Sequence, residues 1–260
     1  PENPYFARAI VNRVWANYLG VGLIEAVDDV RETNPASNEQ LFTAAAKWLV
    51  DHRYDLRAFM REILQSETYQ RSSVALPENK DDTRFYSRYY PRRLMAEVLH
   101  DAIAQASGVP TEFKTQGVSD AGDKPTVFPL GWRALQLPDS NTSNYLTRPF
   151  GRPNRDATCE CERTDDPNVT QALHLANGDT INKKLADEKG TIALALGAKR
   201  DVDAIAEDAW MGALSRTPSP RELEKFRALF AEAKDDGEKR RVVEDTYWAL
   251  LTSREFLFNH

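Results

Sequence analysis

One stretch of the chain gathers most of the side chains able to do chemistry. The run Arg148-Pro149-Phe150-Gly151-Arg152-Pro153-Asn154-Arg155-Asp156-Ala157-Thr158-Cys159-Glu160-Cys161-Glu162-Arg163 packs four arginines and three carboxylates around the only two cysteines. Three kinds of chemistry fit these residue types. The first is structural: guanidinium and carboxylate groups pair and pin a backbone that lacks ladder hydrogen bonds. The second is thiol chemistry. Cys159 and Cys161 share a face of an extended strand, with Cα atoms near the upper limit for a disulfide. A bridge there needs a turn and carries strain, which suits a redox pair better than a staple. Arg155 and Arg163 favour the thiolates, whereas Glu160 and Glu162 oppose them. The same thiols suit a soft metal, with His174 or a partner chain completing the set. The third is recognition. Arg148, Arg152 and Arg155 fork onto carboxylate or sulfate groups, and Trp132 and Tyr145 offer rings for stacking. Glu160 and Glu162 are also candidates, by proximity alone, for the carboxylate pair of a polysaccharide-acting enzyme.

Composition limits these options. The chain has 260 residues, is 41% hydrophobic and 28% charged, and carries a formal net charge of -6. These values belong to an ordinary folded protein of one or two domains. No global basic footprint of a nucleic-acid binder is present. No apolar run approaches the ~18 residues needed to span a bilayer. Two cysteines exclude a disulfide framework and a self-contained four-cysteine zinc site. Standard catalytic signatures are missing, among them HExxH, G-x-S-x-G and the P-loop. There is no C-x-x-C-H haem attachment motif. The four histidines, His52, His100, His174 and His260, lie at no metal-ligand spacing from one another.

The elements that must position this run read as helices. Asn3-Pro4 is a cap followed by proline at the first helical position, and Gly20 is the matching stop. Ser37 with Gln40 reads as a capping box for a second helix, with Leu41, Ala44, Ala45, Trp48 and Leu49 on its apolar face. A third helix starts near Asp55. A fourth is expected from about Arg92 to Ser107, opened by Tyr89-Tyr90-Pro91-Arg92-Arg93 and ended by Gly108 and Pro110. Helical signals resume at Asp166-Pro167 and continue through Val202–Leu214. Ser219-Pro220-Arg221-Glu222 is the cleanest helix start in the chain. A last helix carries Val242, Val243, Tyr247, Leu250 and Leu251. Leu64-x-Ser66-x-x-Tyr69 is echoed by Leu251-x-Ser253-x-x-Phe256. In both, the serine is placed to bond helix-end carbonyls or to cap the next turn.

Between these helices, residues 109–166 lack a sustained period and are rich in Pro, Gly, Asn, Asp and Thr. A long irregular stretch inside a compact domain is uncommon, and its aromatics argue for an ordered excursion packed on the helices. Short extended pieces are expected at 126–128 and 134–137. The fold class is therefore mainly α, a multi-helix, bundle-like composite. It has a helical part at 1–108, the excursion at 109–166 and a second helical part at 167–260.

Several runs together resemble a planctomycete-specific family, domain of unknown function 1553. They are Asn3-Pro4-Tyr5-Phe6-Ala7-Arg8, Asn12-Arg13-Val14-Trp15, Tyr89-Tyr90-Pro91-Arg92-Arg93-Leu94, Phe150-Gly151-Arg152-Pro153, Cys159-Glu160-Cys161-Glu162-Arg163, Gln171-Ala172-Leu173-His174-Leu175 and Ser253-Arg254-Glu255-Phe256-Leu257-Phe258-Asn259-His260. The resemblance covers essentially the whole chain. It implies the C-terminal part of a large exported bacterial protein, outside the cytoplasm. An upstream companion domain is implied, sometimes with a c-type cytochrome or carbohydrate-binding-like domain. Any haem c would then sit on that upstream partner, with no cofactor in this segment. The resemblance carries over no catalytic residues.

The leading expectation is a non-catalytic helical module that binds a companion domain or an extracellular ligand such as a glycan, with 128–163 as its working surface. The alternatives are a redox accessory or enzyme using Cys159 and Cys161 with a haem-bearing partner, and a polysaccharide-acting enzyme. The sequence leaves enzyme and binding module both open.

Overall fold

A computed structural model describes residues 3–115, 127–137 and 178–259. Among the described residues there are ten α-helices and a single two-stranded sheet with two residues per strand, so the protein is mainly α. No described helix is long and apolar enough to cross a membrane. The chain divides into two compact units, residues 3–92 and 93–259.

The first unit holds α1 (Pro4–Leu19), α2 (Glu39–Asp51) and α3 (Leu56–Gln65). The expected caps of α1 are present. The Asn3 side chain accepts from the Tyr5 amide, and Gly20 adopts φ 82° with its N–H donating to the Ala16 carbonyl. The expected cap of α2 is not: Asn38, one residue after Ser37, accepts from the Leu41 amide at 3.0 Å and starts the helix. The buried stripe shifts with it. Phe42 and Leu49 are fully buried, while Leu41 lies at the surface. The packed face runs through Phe42, Ala45, Ala46 and Leu49, at i, i+3, i+4 and i+7. The core of this unit joins Val11, Trp15 and Leu19 of α1 to Phe42, Leu49, Phe59 and Ile63. Full burial of each such side chain is worth roughly 1.5–3 kcal/mol.

The second unit begins with α4 (Ala96–Ser107). This helix starts four residues later than expected. Arg92–Arg93 is extended, and the Leu94 amide donates to the Leu257 carbonyl rather than entering a helix. Of the extended pieces expected in the excursion, one is present: Val127 pairs antiparallel with Lys114, and the Phe128 amide donates to the Phe113 carbonyl. The other is instead a 3-10 turn at Ala134–Gln136, because the side chains of Asp101 and Gln136 hold its first amides. Among the described residues six further helices follow: α5 (Asp179–Leu185), α6 (Thr191–Gly197), α7 (Val202–Leu214), α8 (Pro220–Glu232), α9 (Asp236–Leu251) and α10 (Arg254–Leu257). The capping box of α8 forms as expected, with Glu222 and Ser219 exchanging bonds. The core gathers Leu99 and Ile103 of α4, Ile205 and Trp210 of α7, and Tyr247 and Leu251 of α9.

The serine echo is real in its geometry. Ser66 Oγ donates to the Ile63 carbonyl at 2.6 Å and accepts from the Tyr69 amide at 3.2 Å. Ser253 Oγ donates to the Leu250 carbonyl at 2.7 Å and accepts from the Phe256 amide at 3.2 Å. One hydroxyl thus closes a helix and opens the next turn in each unit.

Candidate functional site

The described residue that links the sequence reading to a cavity is Trp132. It stands on the rim of a groove of about 690 Å³ in the second unit. That volume lies within the ~300–1,000 Å³ of small-molecule sites. The floor is one stripe of α4, with Val98, Asp101, Ala102 and Gln105 at i, i+3, i+4 and i+7. Residues at that spacing share a helix face. Gly108, Pro110 and Thr111 close one end, and Gly131 to Arg133 with Leu135 form the facing wall.

Local chemistry fixes each part. Gly108 ends α4 at φ 69°, and a Cβ there would lie 2.6 Å from Thr191 Oγ1, so both conformation and space require glycine. The chain then runs extended to Phe113, which is buried with Ala134 and Leu137 in a small apolar cluster that also receives Phe128. Gly131, at φ 95°, turns the returning chain, and the Trp132 amide donates to the Pro129 carbonyl at 3.2 Å. The Trp132 and Phe128 rings are 5.2 Å apart and tilted.

Asp101 bolts the wall to the floor. Its Oδ1 accepts from the Ala134 amide at 2.7 Å and its Oδ2 from the Leu135 amide at 3.3 Å. Burial opposes its charge, but the His100 imidazole and the two amides outweigh that and hold the carboxyl below its ordinary range. Beside it, His100 is 2% exposed. Its Nε2 lies 3.2 Å from Thr111 Oγ1, and its ring is 5.3 Å from that of Phe113. Its Nδ1 makes no hydrogen bond and lies 3.6 Å from Asp101 Oδ1.

The groove can therefore present an ionised acceptor, an amide, a hydroxyl, a guanidinium and an indole to one guest. It is suited to holding a guest by hydrogen bonds and stacking. Among the lining residues the one carboxylate is committed to backbone amides and kept ionised, which removes it as a proton donor at neutral pH.

Of the residues singled out from sequence, Trp132 is brought to this groove. Arg148, Arg152, Arg155, Arg163, Tyr145, Cys159, Cys161, Glu160, Glu162 and His174 lie outside the described residues. Asp101, Gln105 and Thr111 were not anticipated. The available signal was the His100-Asp101 pair between the apolar residues Leu99 and Ala102, with the small Ala102 on the same stripe as Asp101. Among the described residues, no group of three or more His, Cys, Asp or Glu side chains is placed to hold a metal ion. One ionic cluster among the described residues is structural: Arg216 forks onto Glu222 and Glu255 and ties the start of α8 to α10.

The family model described as "Protein of unknown function (DUF1553)" matches residues 1–230. No curated protein and no solved structure matches the chain.

Proposed function

We propose a function on one premise: the chain belongs to the DUF1553 family, whose function is unknown, so its role has to be read from its own residues. The reading these residues support best is a non-catalytic helical binding module whose working surface is the α4 groove and its rim. As the sequence resemblance implies, it works outside the cytoplasm beside an upstream domain of the same protein. Its guest is that companion domain or an extracellular ligand such as a glycan.

The observation that carries this reading is the rim. Val127, Leu130, Trp132 and Leu135 fall within nine residues and are 53%, 70%, 37% and 55% exposed. Large apolar side chains exposed together beside a cavity mark a surface that meets another molecule. Asp101 supports the same reading, because its bonds to the wall shape the cavity and its fixed charge suits binding better than proton transfer.

The test is to fill the groove. Ala102→Trp places an indole on the floor, and because Ala102 also packs against the core of the second unit, urea unfolding checks that the variant folds. Binding of the upstream domain and of a glycan array is then compared with that of the wild-type chain. Loss of whatever the wild type binds is expected. A filled groove that binds every wild-type ligand equally well would rule the surface out.

A further inference from the structure

We infer that the α4 groove is a subsite for a neutral saccharide, one ring of which stacks on Trp132; this rests on the binding-module reading above. The donor and acceptor inventory of the groove selects the class. Asp101, held ionised, only accepts hydrogen bonds, and Arg133 only donates them. Gln105 and Thr111 do both. A guest rich in hydroxyls satisfies all four, since each hydroxyl both donates and accepts. An anionic guest would meet the Asp101 carboxylate on the floor. A wholly apolar guest would strip water from Gln105 and Arg133 and return no hydrogen bonds.

Shape points the same way. Ala102 puts only a methyl group on the floor, which leaves room for a ring to approach α4 there. Trp132 is 37% exposed while Phe128 backs its ring at 5.2 Å, which leaves indole surface for the apolar C–H face of a sugar. His100 lines the same groove, its Nδ1 3.6 Å from Asp101 Oδ1 and its Nε2 3.2 Å from Thr111 Oγ1. The groove has the volume of a small-molecule site, whereas a stable protein contact needs ~800 Å² on each partner.

The experiment uses the full chain and an array of neutral glycans, with cellotetraose, xylotetraose and mannotetraose titrated by calorimetry. An oligogalacturonate serves as the anionic control. The expected result is binding to a neutral glycan that weakens by about tenfold or more in Trp132→Ala. It is largely kept in Trp132→Phe and lost in Ala102→Trp. Urea unfolding of each variant reports whether the fold is intact, and Trp132→Phe keeps the test valid if Trp132→Ala does not fold. Absence of any neutral-glycan binding overturns the inference, as does equal or tighter binding of the anionic control. If glycans fail but the upstream domain binds and Ala102→Trp abolishes that binding, the inference falls and the binding-module reading stands. If glycan binding survives both Trp132→Ala and Ala102→Trp, or if nothing bound responds to a filled groove, both fall.

Discussion

Each unit of the molecule uses one polar side chain on a helix to hold an irregular loop, and the two differ in what lies on the other side. In the first unit, Asn12 on α1 is completely buried. It donates to the Ile24 and Val27 carbonyls at 2.8 and 2.7 Å and accepts from the Ile24 amide at 3.0 Å. Gly22 fits beneath it because a Cβ there would sit 2.4 Å from the Ile24 carbonyl oxygen and 3.0 Å from Asn12 Oδ1. In the second unit, Asp101 on α4 holds the amides of the 3-10 turn in the same way, yet it also lines the groove. A loop bolt surrounded by protein is scaffold. A loop bolt with a cavity behind it holds the wall of a site and presents chemistry to a guest.

That comparison can be broken most directly at Asn12. Asn12→Leu strips partners from the buried Ile24 amide and carbonyl and from the part-buried Val27 carbonyl, and should cost the first unit about 4 kcal/mol. Asp101→Ala should cost only about 1–2 kcal/mol, because water entering the groove can reach the released amides. Urea unfolding followed by hydrogen exchange of each unit measures both, and equal costs would end the distinction between closed and open bolts.

A second prediction separates the units by pH. Burial pushes the Lys184 ammonium down from 10.5 to about 8, against the pull of Asp187, while its Nζ donates to the Val109 carbonyl at 2.5 Å. Above pH 8 the folded state has released this proton and the unfolded state still holds it, so stability rises with pH. The gain accrues between about pH 8 and 10 and is at most roughly 3 kcal/mol, at ~1.4 kcal/mol per pKa unit. Above pH 10, burial works the other way on Tyr86 in the first unit and Tyr247 in the second. Both are raised to about 12, so each favours unfolding as its unfolded counterpart ionises. The second unit alone should therefore stabilise between pH 8 and 10. Lys184→Met should flatten that rise, and an unchanged slope would show that Lys184 is not its source.

The smallest effect sharpens the likeness rather than the difference. Ser66→Ala and Ser253→Ala remove the same donor and acceptor pair from the ends of α3 and α9 and should each cost about 1 kcal/mol. Costs that differ twofold or more would mean the two serines do different work despite their matching geometry.

The helices were legible in the sequence where a local signal is self-sufficient. Asn3-Pro4, Gly20, Asp55, Gly108 and Ser219-Pro220-x-Glu222 are satisfied within a few residues, and each marks the boundary observed. The signals that misled depend on distant partners. Arg92–Arg93 carries helix-compatible residues but is drawn into an extended pairing, and residues 134–137 carry strand-compatible ones but are curled by a carboxylate 33 residues earlier in the chain. The groove was hidden for the same reason. Asp101, Gln105 and Thr111 look like unremarkable polar residues until α4 and the returning chain are brought together. Trp132 was visible because a large aromatic amid polar, turn-rich sequence stands out without a partner.

Gly108 gives the groove a fixed length. No side chain fits there against Thr191, so α4 cannot be prolonged and its floor cannot grow past that point. From Val98 to Gln105 the floor advances seven residues, which at ~1.5 Å per residue is about 10 Å. The helix thus acts as a ruler with an end stop, and a guest longer than the floor must leave it past Val98.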